Sequence, residues 1–105
     1  MNVPLPPMSG SEQFRAAITE IISPALIEFQ PELLMISAGF DAHIDDPLAS
    51  LCLTEEDFSW VTEELMRVAD LVCDGKIVST LEGGYDLEAL AESTAAHVRS
   101  LMSAG

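Results

Sequence analysis

Apolar residues recur at helical spacing between Phe14 and Phe29, where Phe14, Ala17, Ile18, Ile21, Ile22, Ala25, Leu26 and Phe29 share one face. Ser9, with Glu12 three positions on, reads as a capping box that starts this helix. Pro24 sits inside the stripe and has no backbone N–H, so a kink or break is expected near Glu20 to Pro24. Gln30 and Pro31 end the helix. The period then changes: Glu32 to Ala38 is an apolar run rich in β-forming residues and predicts a strand. Thr54 and Asp57 repeat the capping signature. Phe58, Val61, Leu65, Val68 and Val72 give a second helical stripe, with Glu55, Glu56, Glu63 and Glu64 turned outward and Cys73, Asp74 and Gly75 at its end. Lys76 to Leu81 predicts a second short strand. Asp86 reads as the N-cap of a last helix with Leu87, Leu90, Ala91, Thr94, Ala95, Val98 and Leu101 on its apolar face. Residues 1–8 form an extended arm, because Pro4, Pro6 and Pro7 can enter neither a helix nor a central strand.

The order helix, strand, helix, strand, helix describes one α/β unit over residues 1–105 with two strands and three main helices. Strands joined through a helix pair in parallel with a right-handed crossover, which brings both following loops to the same edge of the sheet. Asp41 and Tyr85 are therefore expected to be neighbours. A parallel pair needs cover on both faces and partners at both edges, so the chain reads as part of a larger sheet.

Composition narrows the function classes. The chain carries 18 acidic residues against four basic ones, a net charge of −14, which repels phosphate backbones and argues against nucleic-acid binding. Acidic residues that only solvate the outer helix faces explain the same numbers. The hydrophobic fraction of 49% is high for a short chain and points to apolar surface reserved for a partner. Cys52 and Cys73 are too far apart for a metal-binding or redox pair and read as reduced thiols of a cytoplasmic protein. There is no signal-peptide pattern and no apolar run near the ~20 residues that a membrane span needs.

Candidate chemistry gathers behind the first strand, where Asp41, His43, Asp45 and Asp46 fall within a few positions and Pro47 fixes the backbone after them. Taken alone, Asp41 reads as a turn or cap residue, and Tyr85 reads either as a group packed on the last helix or as a site residue beside Gly83 and Gly84. His43 reads as a hydrogen-bonded surface residue, His97 as a plain helical one, and Asp46 and Pro47 as scaffolding of the loop.

Two motifs at this separation, SAGFDAHIDDPL at Ser37 to Leu48 and LEGGYDL at Leu81 to Leu87, resemble the C-terminal part of the zinc-dependent deacetylases, a family of class II-like histone deacetylases and acetylpolyamine amidohydrolases. The lead-in NVPLPP and the first helix are similar to that family's preceding segment, so the resemblance covers nearly the whole chain. It implies a fragment of an arginase-like three-layer α/β/α fold. It implies that Asp41 is one of three protein ligands of a catalytic zinc, and that the Tyr85 hydroxyl donates a hydrogen bond to the acyl oxygen as it becomes an oxyanion. Gly83 and Gly84 would let the backbone pass close to the substrate, and Leu48 would line a narrow tunnel around an acetyl-lysine or acetylpolyamine stem. In the family, the histidine pair, the other two zinc ligands and the potassium sites come from sequence that this chain lacks. The expectation is therefore a chain that is inactive and holds zinc weakly when isolated, and that self-associates to cover open strands. Two other readings stand beside it. One is a non-catalytic acidic interaction module; the weaker other is a nucleotide-binding α/β domain using Gly83 and Gly84, which lacks any phosphate-loop pattern.

Overall fold

The computed structural model describes residues 1–104. The first helix runs in three pieces: α1 at Ser11–Ala17, a π-helical turn at Ile18–Ile22, and α2 at Ser23–Phe29. The π turn is the break expected from Pro24. A regular helix would ask Pro24 for an N–H that it lacks, and the chain instead slips by one residue, so that the Ser23 N–H reaches back to Ile18 O. Gln30 then ends the helix in the left-handed region, at φ 56°.

The start of α1 differs from the expected Ser9–Glu12 box. Ser9 Oγ donates to Pro6 O at 2.6 Å, so its hydroxyl is spent on the arm. Gly10 is the cap, and its N–H is taken by Gln13 Oε1 at 2.9 Å. The arm itself is tied down at its end, where Met8 N–H donates to Ser50 O (2.6 Å) and Cys52 N–H to Ser9 O (2.8 Å).

Strand β1 covers Leu34–Gly39 and β2 covers Ile77–Gly83; helix α3, at Glu55–Val72, crosses between them, and α4, at Leu87–Met102, follows. β1 starts two positions later than the apolar run suggested, with Leu33 left half-exposed, and β2 runs on through Glu82 to Gly83. The strands are parallel, in register from Leu34↔Ile77 to Ala38↔Leu81, after which Gly39 pairs with Gly83. Glu82 is thus an extra residue on β2, a bulge at the end of the ladder.

All the helices lie on one sheet face. Leu34, Ala69 and Cys73 form one cluster of the core, and Ala38, Phe40, Leu53 and Phe58 the other, with Phe40 and Phe58 edge to face at 5.1 Å. Polar groups are buried between α3 and α4. Thr62 Oγ1 donates to Phe58 O (2.6 Å), so it accepts from His97 Nδ1 (2.7 Å), which leaves His97 Nε2 to accept from Ser79 Oγ (2.8 Å). His97 is therefore a buried link between α3, α4 and β2 rather than a plain helical residue. The opposite sheet face is bare. Met35 and Val78, directly paired across the strands, are both exposed, and so are Ser37 and Thr80 beyond them. The α/β architecture matches expectation, with helices against one face of the sheet.

Candidate functional site

The site lies where the two strands end. Phe40 N–H donates to Gly83 O at 2.8 Å, which closes the ladder one step past the bulge. Phe40 turns into the core, so the next residue, Asp41, turns away from it toward the sheet end. Its carboxylate lies over glycine backbone. A Cβ placed on Gly83 would sit 2.9 Å from Asp41 Oδ1, and one on Gly39 at the same distance. Any side chain at either position would displace the carboxylate. The bulge is what puts Gly83, in place of Glu82, under Asp41.

Past Asp41 the chain makes two consecutive turns, with His43 N–H donating to Phe40 O (3.2 Å) and Asp46 N–H to His43 O (3.0 Å). Leu53 N–H to Ala42 O and Ile44 N–H to Leu53 O pin the first turn to the segment before α3. His43 pins the second. It is buried, in contrast to the surface position expected, with the Asp45 N–H donating to Nδ1 (3.1 Å), so that Nε2 donates to Glu55 Oε2 at 2.9 Å. That bond, the largest cause, holds the Glu55 carboxyl below the usual range.

Asp46 joins the two loops. Its Oδ1 accepts from Leu48 N–H at 3.0 Å, and its Oδ2 accepts from Tyr85 N–H at 2.7 Å and Asp86 N–H at 3.1 Å. Burial pushes this carboxyl up, but the three N–H donors and nearby His43 outweigh that, and its pKa lies below the ordinary value. Asp86 in turn caps α4 by accepting from Ala89 N–H at 2.9 Å. Between β2 and α4 only Gly84, Tyr85 and the cap residue Asp86 intervene. Gly84 has φ 141°, and a Cβ there would meet Leu90 Cδ1 at 2.7 Å, so a glycine is required for the turn to pack on α4.

The predicted site residues are therefore placed as follows. Asp41 and Gly83 are in contact, Gly84 shapes the turn, and Leu48 and Tyr85 project from backbone held by one carboxylate, with relative exposures of 65% and 57%. Asp46, Asp57 and Asp86 all accept backbone N–H bonds. Asp41, among the described residues, has no hydrogen-bond partner for its carboxylate, which is not how a turn or cap aspartate behaves. Among the described residues no group of three or more His, Cys, Asp or Glu side chains could hold a metal ion. One carboxylate is a single ligand and a catalytic zinc takes three, so the described residues do not by themselves fit a zinc ion. No helix is long and apolar enough to cross a membrane among the described residues.

Comparisons with known proteins bear on the family and the fold. The histone deacetylase domain model matches residues 1–101. The chain is 50% identical over 101 residues to type-2 histone deacetylase 1 of Dictyostelium discoideum, covering 96% of this chain and 7% of that protein. It is 43% identical over 88 residues to a probable deacetylase of Archaeoglobus fulgidus, covering 84% of this chain and 24% of that one. Among solved structures, that of the histone deacetylase Clr3 superposes with a TM-score of 0.90 at 32% identity, over 97% of this chain and 17% of that one. The chain thus spans a quarter or less of each of these relatives.

Proposed function

The chain belongs to the histone deacetylase family, and on that premise we propose that it is the C-terminal portion of a zinc-dependent deacetylase that hydrolyses acetyl-lysine or acetylpolyamine amides. The observation that carries this reading is Asp41, an unbonded carboxylate set on glycine backbone at the end of a parallel strand, beside the loop that bears Tyr85. Active groups in open parallel sheets gather at the carboxyl ends of the strands. In the proposal Asp41 would contribute one metal ligand, with the others supplied by sequence outside this chain. Tyr85 donates its hydroxyl proton as a hydrogen bond to the acyl oxygen where charge builds up, a role for which a neutral phenol suits. Leu48 gives an apolar wall to the substrate stem. Cytoplasmic location is part of the proposal, supported by Cys52 and Cys73 both being free thiols.

The isolated chain, on this reading, is inactive. For its partner we propose a second copy of itself, supported by the exposed Met35–Val78 pair and by strand edges that no described residue covers. Light scattering across a concentration series should show association that Met35→Glu weakens; a monomer throughout overturns this part. The function is tested by assaying a longer chain that contains this segment on acetyl-lysine and acetylpolyamine substrates. Asp41→Ala and Tyr85→Phe should each lower kcat by a factor on the order of a hundred or more. Unchanged turnover in both variants rules the reading out.

A further inference from the structure

We infer that Asp46 is a positioning residue that fixes Tyr85 relative to Asp41 and Leu48, so that the two loops form one rigid face. The inference rests on the deacetylase reading for what the face does, but not for how it is built.

Tyr85 lies in the short link between β2 and α4, outside both elements, so neither ladder nor helix bonds hold its amide. The Tyr85 N–H has one acceptor, Asp46 Oδ2 at 2.7 Å, and the next amide, of Asp86, shares that oxygen at 3.1 Å. The other oxygen holds Leu48 N–H at 3.0 Å. One carboxylate, 6% exposed, thus sets three backbone positions on two loops that are 39 and 40 residues apart in sequence from it on the Tyr85 side. A carboxylate is suited to this because it accepts on both oxygens, whereas an amide offers one acceptor and one donor. Its own place is set from beneath, by the Asp46 N–H bond to His43 O and by the His43 bond to Glu55 at the start of α3. The line of support runs from the first turn of α3 through His43 to Asp46 and then to the backbone of Tyr85. An oxyanion donor must hold its place to within a fraction of an ångström to be effective, and the exposed Tyr85 ring has little packing of its own to do this.

The test is amide exchange measured by NMR on the whole chain, for wild type, Asp46→Ala and Asp46→Asn. In Asp46→Ala the amides of Leu48, Tyr85 and Asp86 should exchange faster by on the order of tenfold or more, while those of Leu34 and Phe40 keep their protection. In Asp46→Asn protection should survive on one side of the side chain only, since one oxygen remains. Tyr85 is the chain's single tyrosine, so its ring resonances report the same event without overlap and should move toward those of a free tyrosine in Asp46→Ala. Unchanged exchange at Tyr85 and Asp86, or faster exchange spread evenly over β1 and α3, overturns the inference. A second readout comes from a longer, active chain, where Asp46→Ala should lower kcat by tenfold or more and Asp46→Ala with Tyr85→Phe should be little worse than Tyr85→Phe alone. Additive losses count against Asp46 acting through Tyr85. Because the exchange experiment contains neither metal nor substrate, its failure is separate from a failure of the deacetylase reading.

Discussion

Asp57 and Asp41 both lie where β1 ends and α3 begins, and one is used up where the other is free. Asp57, at the start of α3, is fully buried and accepts from Ser11 Oγ (2.6 Å), Arg15 Nε (3.0 Å) and Thr54 N–H (3.0 Å). Burial pushes its carboxyl up, but these bonds and the Arg15 charge bring it below the ordinary value. Asp41 has only glycine backbone beneath it and no bonds among the described residues. A carboxylate that the fold needs is surrounded by donors, and one that the fold leaves without donors is available for something else.

The contrast can be broken by substitution. Asp57→Ala should cost the chain about 3 kcal/mol, since it removes the cap of α3 and the charge-assisted bonds to α1 together. Urea unfolding measures it, and a cost near that of an ordinary surface change would remove the contrast. Gly84→Ala comes next, at about 1–3 kcal/mol, from a backbone at φ 141° and a Cβ at 2.7 Å from Leu90. Acid should act in two stages. Burial lowers the pKa of His97, so the unfolded chain takes up that proton first and stability declines as the pH falls below about 6.5 until folded His97 is protonated as well. Asp46, Glu55, Asp57 and Glu64 are all lowered in the fold, so their contribution is complete above about 4.5 and is lost as the pH drops through their folded values. Thermal melts against pH check both stages, and in His97→Gln the upper stage should vanish. The smallest effect sharpens the contrast most: Asp41→Ala should leave stability within about 0.5 kcal/mol of the parent chain. A large loss there would make Asp41 one more structural acid.

Much of the fold was legible because its helices are amphipathic and its strands are short apolar runs, and Pro24 announced the break in the first helix. What was misplaced lay at element ends, where side chains choose between equivalent backbone partners: Ser9 bonds the arm and Gln13 serves the cap. In the site, the residue types of Asp41, Gly83, Gly84 and Tyr85 stood out as motifs. The bonds that hold them did not. Asp46 read as local scaffolding, and nothing in its spacing points to partners across the sheet end. His43 was taken for a surface group because its loop is acidic, yet pairing of Ala42 and Ile44 with Leu53 buries it against Glu55. Thr62, inside α3, and Ser79, inside β2, belong to otherwise ordinary elements and give no sign that His97 joins them.

The parallel pairing of β1 with β2 also governs when the site can exist. Leu34 meets Ile77 only after α3 has crossed the sheet, so a long stretch of chain must be closed before the ladder starts. The bulge and the Phe40 to Gly83 bond come at the far end of that ladder. The places of Asp41 and of the Tyr85 loop therefore depend on the whole crossover being closed, although the two segments are far apart in sequence.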